Sequence, residues 1–350
     1  MAVLSGALTG IFLCGCGSGQ TVLCQYADTA MGTVVRQTLY APDQETADSL
    51  SDAVMALLDQ MEEQELSWRL GTSEIYAVNE TAGSGEGCLL SSEITCVIDK
   101  CLDLSSKSEG AFDITIGAVT RLWDIDGWTA GTLEGAFRPP EGELLRQALE
   151  YSGYQKIRLE TEASGEDGEI LQARVFLPAG MRLDLGAAGK GLALDRILGC
   201  LEDNGISGAV ISVGGSVLTY GEKPDHTDWK VGVIDPLDTA GYIGILSLKG
   251  QWCVSTSGDY ERYAEADGIR YHHILDPATG MPADSGLHSV TILTKEGLLG
   301  DALSTACFVL GVEKGMELAQ QYGAEAVFVT EDGEIVLTDG MKALFTPAGR

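Results

Sequence analysis

Basic residues are scarce in this sequence. Its 22 lysines and arginines face 52 acidic residues, for a net charge of −30, so the surface as a whole repels nucleic acid and anionic lipid headgroups. A phosphate-bearing ligand would need local help from a metal ion, a lysine or backbone amides. Paired-cysteine spacings are also missing. Beyond Cys16, the set Cys24, Cys88, Cys96, Cys101, Cys200, Cys253 and Cys307 is odd and contains no Cys-x-x-Cys, which argues against a disulfide framework and against zinc fingers. Cys96, Cys200, Cys253 and Cys307 stand in apolar runs, where a free thiol behaves as a small hydrophobe. No repeat of fixed period appears, and neither a Walker A loop nor Gly-x-Gly-x-x-Gly is present.

Long apolar runs are absent too. The first residues, MAVLSGALTGIFLCGCGSGQ, are too short to span a bilayer as a mature helix and are shaped like a secretion signal, although the usual preceding basic residues are lacking. Within them Leu-Cys-Gly-Cys resembles a bacterial lipobox. That likeness predicts a lipoprotein-type signal over 1–15, a tether over 16–25 carrying lipid on Cys16, and a folded domain over 26–350, held at the extracytoplasmic face of the cell membrane.

What remains is ample for a large core: 350 residues, 45% hydrophobic. Residues 32–40 alternate like a strand, and 43–66 repeat apolar residues at helical spacing. Helices are expected over 72–80, capped by Thr72 or Ser73, over 91–108, over 141–150, and up to about Asn204 with a stop at Gly205. Two segments around residue 170 read as a hairpin with an exposed tip. From 207 onward short strands dominate, followed by two helical segments over about 299–322 and a last strand pair at 325–329 and 334–338. Strands and helices do not alternate regularly, so the fold class expected is α+β.

Four stretches combine residues in ways that suggest chemistry. In DLGAAGKGLALD the glycines at 186, 189 and 191 would let backbone approach a ligand, Lys190 offers a point charge, and a helix N-terminus presents free N–H groups to an anion. Read alone, the same stretch also suits a helix entry packed tightly through glycine and alanine. In GDALSTACFVLG, Asp301 and Thr305 project from one helix face as oxygen donors for a hard cation such as magnesium; an acidic first-turn residue and a core threonine would give the same letters. In RYHHILDPATGMPAD only one of two adjacent histidines can face a given pocket, and His273, three residues before Asp276, is the choice. Arg262, just upstream, reads as a solvated charge. Near the start, Met-Gly-Thr, Leu-Ser-Trp-Arg and Gly-Ala-Phe-Asp place thioether and aromatic groups that could sandwich a flat ring system, or simply fill the core.

Taken in order, MGT, SWR…TSEIYAVN, GAFDITIGAVTRLW, DLGAAGKGLALD, SVGGSV, STSGDYERY, HHILDPATGMP and DALSTACFVLG resemble the ApbE family, the FAD:protein FMN transferases, from Met31 to about Gly311. The resemblance implies a T-fold-like flavin transferase domain of mixed, mainly antiparallel sheets with flanking helices. It implies magnesium-dependent transfer of FMN from FAD to a Thr or Ser hydroxyl of an acceptor protein, with AMP released. The acceptor would carry a motif like Asp-x-x-[Ser/Thr]-Gly-Ala-[Ser/Thr], as in quinone reductase or electron-transfer subunits. Met31, Trp68, Ala111, Phe112, Asp113, Gly186, Leu192 and Leu275 fall on positions that line FAD. Asp301, Thr305 and the Gly189 carbonyl fall on metal-ligand positions and His273 matches a histidine near the reacting phosphate, while Lys190, with the helix-terminus amides, could supply positive charge for the pyrophosphate. Either His273 or Asp301 could be the proton acceptor. Departures are Trp68 where relatives carry tyrosine or phenylalanine, Ser216 where Asn or Asp is frequent, and an unusual segment after the Leu-Trp pair, DIDGWTAGT (124–132). Thr279, in an incomplete echo of the acceptor motif, is not expected to be self-modified. An FAD pyrophosphatase and a non-catalytic flavin-binding lipoprotein are the alternatives.

Overall fold

The computed structural model describes residues 21–165 and 170–349; the lipobox with Cys16, the signal and the hairpin tip at 166–169 lie outside the described residues. The chain opens with β1 (Val22–Ala30) and β2 (Thr33–Ala41), joined at Met31-Gly32, then α1 (Gln44–Gln60), which runs into a π-helical turn over Met61–Leu66. Strand β1 takes in the last residues of the expected tether: Val22 to Gln25 pair with β2, and Cys24 is buried. Next come α2 (Glu74–Glu80), β3 (Cys88–Leu89), α3 (Ser92–Lys107), α4 (Gly117–Trp123), α5 (Ile125–Thr129), α6 (Gly142–Glu150), and the hairpin of β4 (Arg158–Ser164) with β5 (Ile170–Phe176). Helix α7 (Gly189–Asp203) leads to β6 (Gly208–Val213), β7 (Ser216–Gly221), β8 (Trp229–Asp235), β9 (Asp238–Leu248), β10 (Trp252–Gly258), the short pair β11 (Tyr263–Ala266) and β12 (Ile269–His272), and β13 (Leu287–Thr294). Then α8 (Gly297–Gln321), β14 (Glu325–Thr330), β15 (Ile335–Leu337) and β16 (Phe345–Pro347) close it.

The scaffold is an antiparallel eight-stranded sheet of order β1-β2-β6-β7-β10-β13-β14-β15, with smaller sheets β16-β9-β8, β3-β5-β4 and β11-β12, the α+β class expected. Its central strands are buried on both faces. Ile211, Cys253, Ile292 and Phe328 point to the helical side, where they meet Leu50, Val54, Leu194 and Leu303, whereas Val254, Leu293, Val327 and Val329 point to Trp229, Val231 and Leu246 of the three-stranded sheet. Burial on both sides explains why these strands do not alternate apolar with charged residues; the polar residues they carry, such as Ser255 and Thr291, are themselves buried. A third cluster, with Val119, Trp123, Leu145 and Leu275, fastens α4, α5 and α6 beside the sheet edge.

Several helix ends are fixed as the sequence suggests. Ser91 caps α3 by accepting from Ile94 N, and Gly205 (φ 66) ends α7. Ser73 holds the N-cap position of α2, but its hydroxyl donates to the Glu65 carbonyl at 2.9 Å and so does no capping. Helix α8 comprises two helical segments that meet at Gly311 (φ 78, ψ −178). All seven described cysteines are free. Among the described residues no helix is long and apolar enough to cross a membrane.

Candidate active site

The site is built where α7 meets α8. A Cβ on Gly191 would lie 2.0 Å from the Gly297 carbonyl oxygen and 2.6 Å from the Asp301 Cβ, and one on Gly297 would lie 2.3 Å from the Gly191 carbonyl oxygen. Only glycine at both positions lets the two helix starts approach this closely. Asp195, one turn further along α7, accepts from the Gly297 and Leu298 N–H groups at 2.5 and 2.8 Å. It caps α8 from a different helix. Burial raises the Asp195 carboxyl above the ordinary carboxylate range, against the opposing pull of those two N–H groups. Arg196 anchors the other flank through a forked pair to Glu65 at 2.9 and 2.6 Å, mostly buried, and to Glu93.

This junction delivers Asp301, only 3% exposed. Its Oδ2 accepts from Gly191 N at 2.9 Å, its Oδ1 accepts from the Ser216 hydroxyl at 3.2 Å, and Lys190 Nζ stands 3.6 Å from Oδ1. Thr305 follows one turn later in α8, its Oγ1 3.1 Å from Ser257 Oγ, which also lies 2.7 Å from Ser304 Oγ. Glu261, which sequence reasoning did not single out, adds a second acid. Its Oε1 would lie 2.9 Å from a Cβ on Gly215, and burial pushes its carboxyl up, with Lys190 opposing and Asp301 adding to the rise. One lysine at 3.6 Å compensates a buried carboxylate incompletely, and the side-chain donors gathered around it are oxygens, the Asp301 carboxylate and the hydroxyls of Ser216, Ser257, Ser304 and Thr305. Such a set suits a hard cation, although among the described residues no three Asp, Glu, His or Cys side chains converge here or elsewhere.

A second wall faces this junction. Met31 and Gly32 form a two-residue hairpin turn with positive φ at both positions (51° and 66°), a conformation that normally selects Asn-Gly. Methionine held there carries backbone strain of about 1 kcal/mol or more. The strain coincides with a close approach, since Met31 Cε would lie 3.7 Å from a Cβ on Gly189, and Met31 N donates to Glu62 Oε2 at 3.0 Å. Trp68 is half-buried with the Arg69 guanidinium 3.8 Å above its ring. Gly186 is exposed and donates to Asp184 Oδ1 at 2.8 Å, and Leu192 is partly buried against the core. The loop holding Gly186 is hung from α2 by the buried Asn79, whose amide donates to Leu183 O at 3.0 Å and accepts from Leu183 N at 2.6 Å.

Other expected residues serve the scaffold through their side chains. Phe112 and Leu275 are buried in separate apolar clusters. The Asp113 carboxylate is occupied by Thr115 N, Thr115 Oγ1 and Tyr154 N at 2.7–2.9 Å; it staples the loop, and Ala111 is the half-exposed member of that segment. The Thr279 hydroxyl donates to Asp276 Oδ2 at 3.0 Å within a self-contained turn.

Of the two adjacent histidines, His272 turns into the core, with Nε2 on the Ala283 carbonyl at 3.1 Å and its ring edge-on to Phe308. His273 takes the other face. Its main-chain N–H and its Nδ1 lie 3.1 and 3.2 Å from one acceptor, the Arg262 carbonyl. A carbonyl only accepts, so Nδ1 carries the proton and Nε2 is the basic nitrogen. Burial, helped by Arg262 and Lys190 and opposed by Asp126, pushes the His273 pKa down to about 3, so the ring is neutral at physiological pH. Arg262, expected to be a solvated charge, pairs with Asp126 at 2.9 Å.

The sequence model of the ApbE family matches residues 31–328. An FAD:protein FMN transferase of Treponema pallidum is 33% identical over 344 residues, covering 94% of this chain and 91% of its own, and one of Klebsiella pneumoniae is 34% identical, covering 92% and 94%. Among solved structures, the ApbE protein of Thermotoga maritima superposes with a TM-score of 0.78 at 31% identity, covering 92% of this chain and 99% of its own. The Pseudomonas stutzeri flavinyl transferase ApbE gives 0.77 at 28%, covering 94% and 99%. With a family match that spans the Met31 turn, the α7–α8 junction and His273, the chain belongs to the ApbE family.

Proposed function

We propose that the protein is an FAD:protein FMN transferase that moves FMN from FAD onto a Thr or Ser hydroxyl of an acceptor protein. The acceptor oxygen forms a bond to the FMN phosphorus, the bond from that phosphorus to the bridging oxygen breaks, and AMP leaves with that oxygen; the hydroxyl proton passes to a base. The observation that carries this reading is the buried Asp301 carboxylate, held at the crossing of α7 and α8 with Lys190 beside it and Thr305 one turn on. Asp301, Thr305 and the Gly189 carbonyl would hold magnesium, which when bound neutralises phosphate oxygens and the charge that builds on the leaving AMP. Lys190 and the N–H groups opening α7 add positive potential for the same oxygens. Met31 and Trp68 offer the flat apolar contact that a flavin ring requires.

On this reading the neutral His273 is the base: its tautomer leaves the Nε2 lone pair bare, whereas the Asp301 carboxylate is committed to the cation. The same reading has the mature chain tethered by lipid on Cys16 at the extracytoplasmic face of the cell membrane, supported by the Leu-Cys-Gly-Cys segment. The test incubates purified protein with FAD, magnesium and an acceptor domain carrying Asp-x-x-Thr-Gly-Ala-Thr, and reads covalent FMN by mass spectrometry. Adduct plus AMP is expected, and Asp301→Asn is expected to lower the rate by about 10²-fold or more. AMP without adduct would replace transfer by hydrolysis, and FAD binding without AMP would leave only a flavin-binding protein.

A further inference from the structure

The stretch Asp-Ile-Asp-Gly after Trp123 stands out in the sequence, and the structure gives it a task. Asp124 adopts a left-handed conformation (φ 39) at the joint of α4 and α5, where its Oδ1 accepts from Gly127 N at 3.2 Å and from Arg69 at 2.7 Å. This fixes the start of α5 and with it Asp126, whose Oδ1 accepts from Arg262 Nη1 at 2.9 Å. Arg262 in turn supplies the single carbonyl that takes both the main-chain N–H and the Nδ1–H of His273. A run of contacts thus leads from Trp68, through the Arg69 guanidinium on its ring, to the His273 imidazole.

We propose that Asp126 is a positioning residue for the transfer reaction: by clamping Arg262 it holds the Arg262 carbonyl under His273 and so keeps the ring in one orientation and one tautomer, with Nε2 bare. The proposal rests on the reading of His273 as the base. A neutral imidazole has no intrinsic need to place its proton on Nδ1; the bond made by the other nitrogen decides which one is basic. The pairing of β11 with β12 (Tyr263 opposite His272) brings the Arg262 carbonyl to His273, and docking of the segment 259–262 on α5 refines its aim. The Arg262–Asp126 pair provides the docking with a planar, directional donor. Its partners are 32% and 46% exposed, so the pair contributes little to stability, and its loss changes geometry without endangering the fold.

The test uses the full mature chain labelled with ¹⁵N-histidine; with four histidines in the sequence, the ring signals can be assigned by single substitutions. Long-range ¹H–¹⁵N spectra of the wild type are expected to show His273 protonated at Nδ1 only. In Asp126→Ala the two nitrogens move toward averaged shifts and kcat for transfer falls about tenfold, while the KM for FAD and the unfolding midpoint stay unchanged. Arg262→Ala gives the same pattern, and the double variant is no worse than the poorer single one, because both act through one carbonyl. A His273 that keeps its single tautomer in Asp126→Ala, or a kcat within about twofold of wild type, overturns the proposal. Undiminished transfer by His273→Gln would instead remove the base reading on which it rests, an outcome the Asp126 spectra cannot mimic.

Discussion

Replacing Gly191 by alanine tests whether the glycines of the α7 entry serve helix crossing or ligand approach. The new Cβ would sit 2.0 Å from the Gly297 oxygen and 2.6 Å from the Asp301 Cβ. Both neighbours are fixed: one is backbone, the other the root of a buried side chain. Ordinary contact needs about 3.5 Å between carbons, so the helices must part by roughly 1 Å. Overpacking of this kind costs about 1–3 kcal/mol. Parting also stretches the bond from Gly191 N to the Asp301 carboxylate, worth about 1.5–3 kcal/mol for a charged acceptor. The helix propensity of alanine returns about 1 kcal/mol, leaving a net loss of about 2–5 kcal/mol, a large share of a typical stability of about 5–15 kcal/mol. Gly199, in the same helix, is the control. It is exposed, and a Cβ there meets nothing within 4 Å, so Gly199→Ala should stabilise by about 0.5–1 kcal/mol. Urea unfolding of the two variants followed by tryptophan fluorescence should give midpoint shifts of opposite sign. If Gly191→Ala matched wild type or Gly199→Ala, the claim that the α7–α8 contact requires glycine would be refuted.

Asn79→Ala should strand Leu183 N and O in the interior and cost about 2–4 kcal/mol for the two lost bonds, seen as a lower urea midpoint; no shift would mean that the loop above Gly186 is held by other contacts. His273 should make stability pH-dependent. Its folded pKa of about 3 lies below the value of 6.5 for a free histidine, so between those values the unfolded chain binds the extra proton and stability falls as pH drops from 6.5 toward 3. Glu261, Asp184 and Asp195, whose carboxyls are raised by burial, act in the opposite sense, so the measurement is a difference. His273→Gln should lose less stability than wild type between pH 7 and 4, and equal losses would show that the ring is not held neutral by burial.

The legible parts of this fold are those where burial leaves a periodic trace. Helices α1 and α3 each carry one apolar face and a side-chain cap, at Asp43 and Ser91, and the central strands are rich in β-branched residues and free of lysine and arginine because both faces are covered. Strand β1 was hidden for the converse reason. It is an edge strand whose residues from Gln25 to Thr29 are largely exposed, so hydropathy did not separate it from a tether. Strands β11 and β12 and the five-residue α5 are too short for a period to register. At the site, the residue types of Asp301, Thr305, Lys190 and His273 could be read from local spacing, but what orients them could not. Gly191 touches Asp301 across 110 positions of chain, Asp195 caps a helix that begins 102 positions later, and Asn79 holds a loop 104 positions away. No local pattern encodes such partners; a lone Asp at the end of a helical turn reads the same whether it faces solvent or another helix.

The charge balance of the chain gives these distant contacts a purpose on the transferase reading. A protein of net charge −30 repels a dinucleotide at long range, so attraction has to be created within a few ångströms. The α7–α8 crossing does this by bringing Lys190 and the opening N–H groups of α7 to Asp301, whose carboxylate is fixed by one of those groups, Gly191 N, and by the Ser216 hydroxyl. Asp301 could be replaced by an uncharged residue with less desolvation cost if holding the helices were its only task. Its burial beside a second acid, Glu261, makes sense where a cation is the missing partner. The two readings of the glycine-spaced stretch, ligand approach and tight helix entry, then coincide, because Gly191 lets two helices meet closely enough for a carboxylate from one and a lysine from the other to share a site.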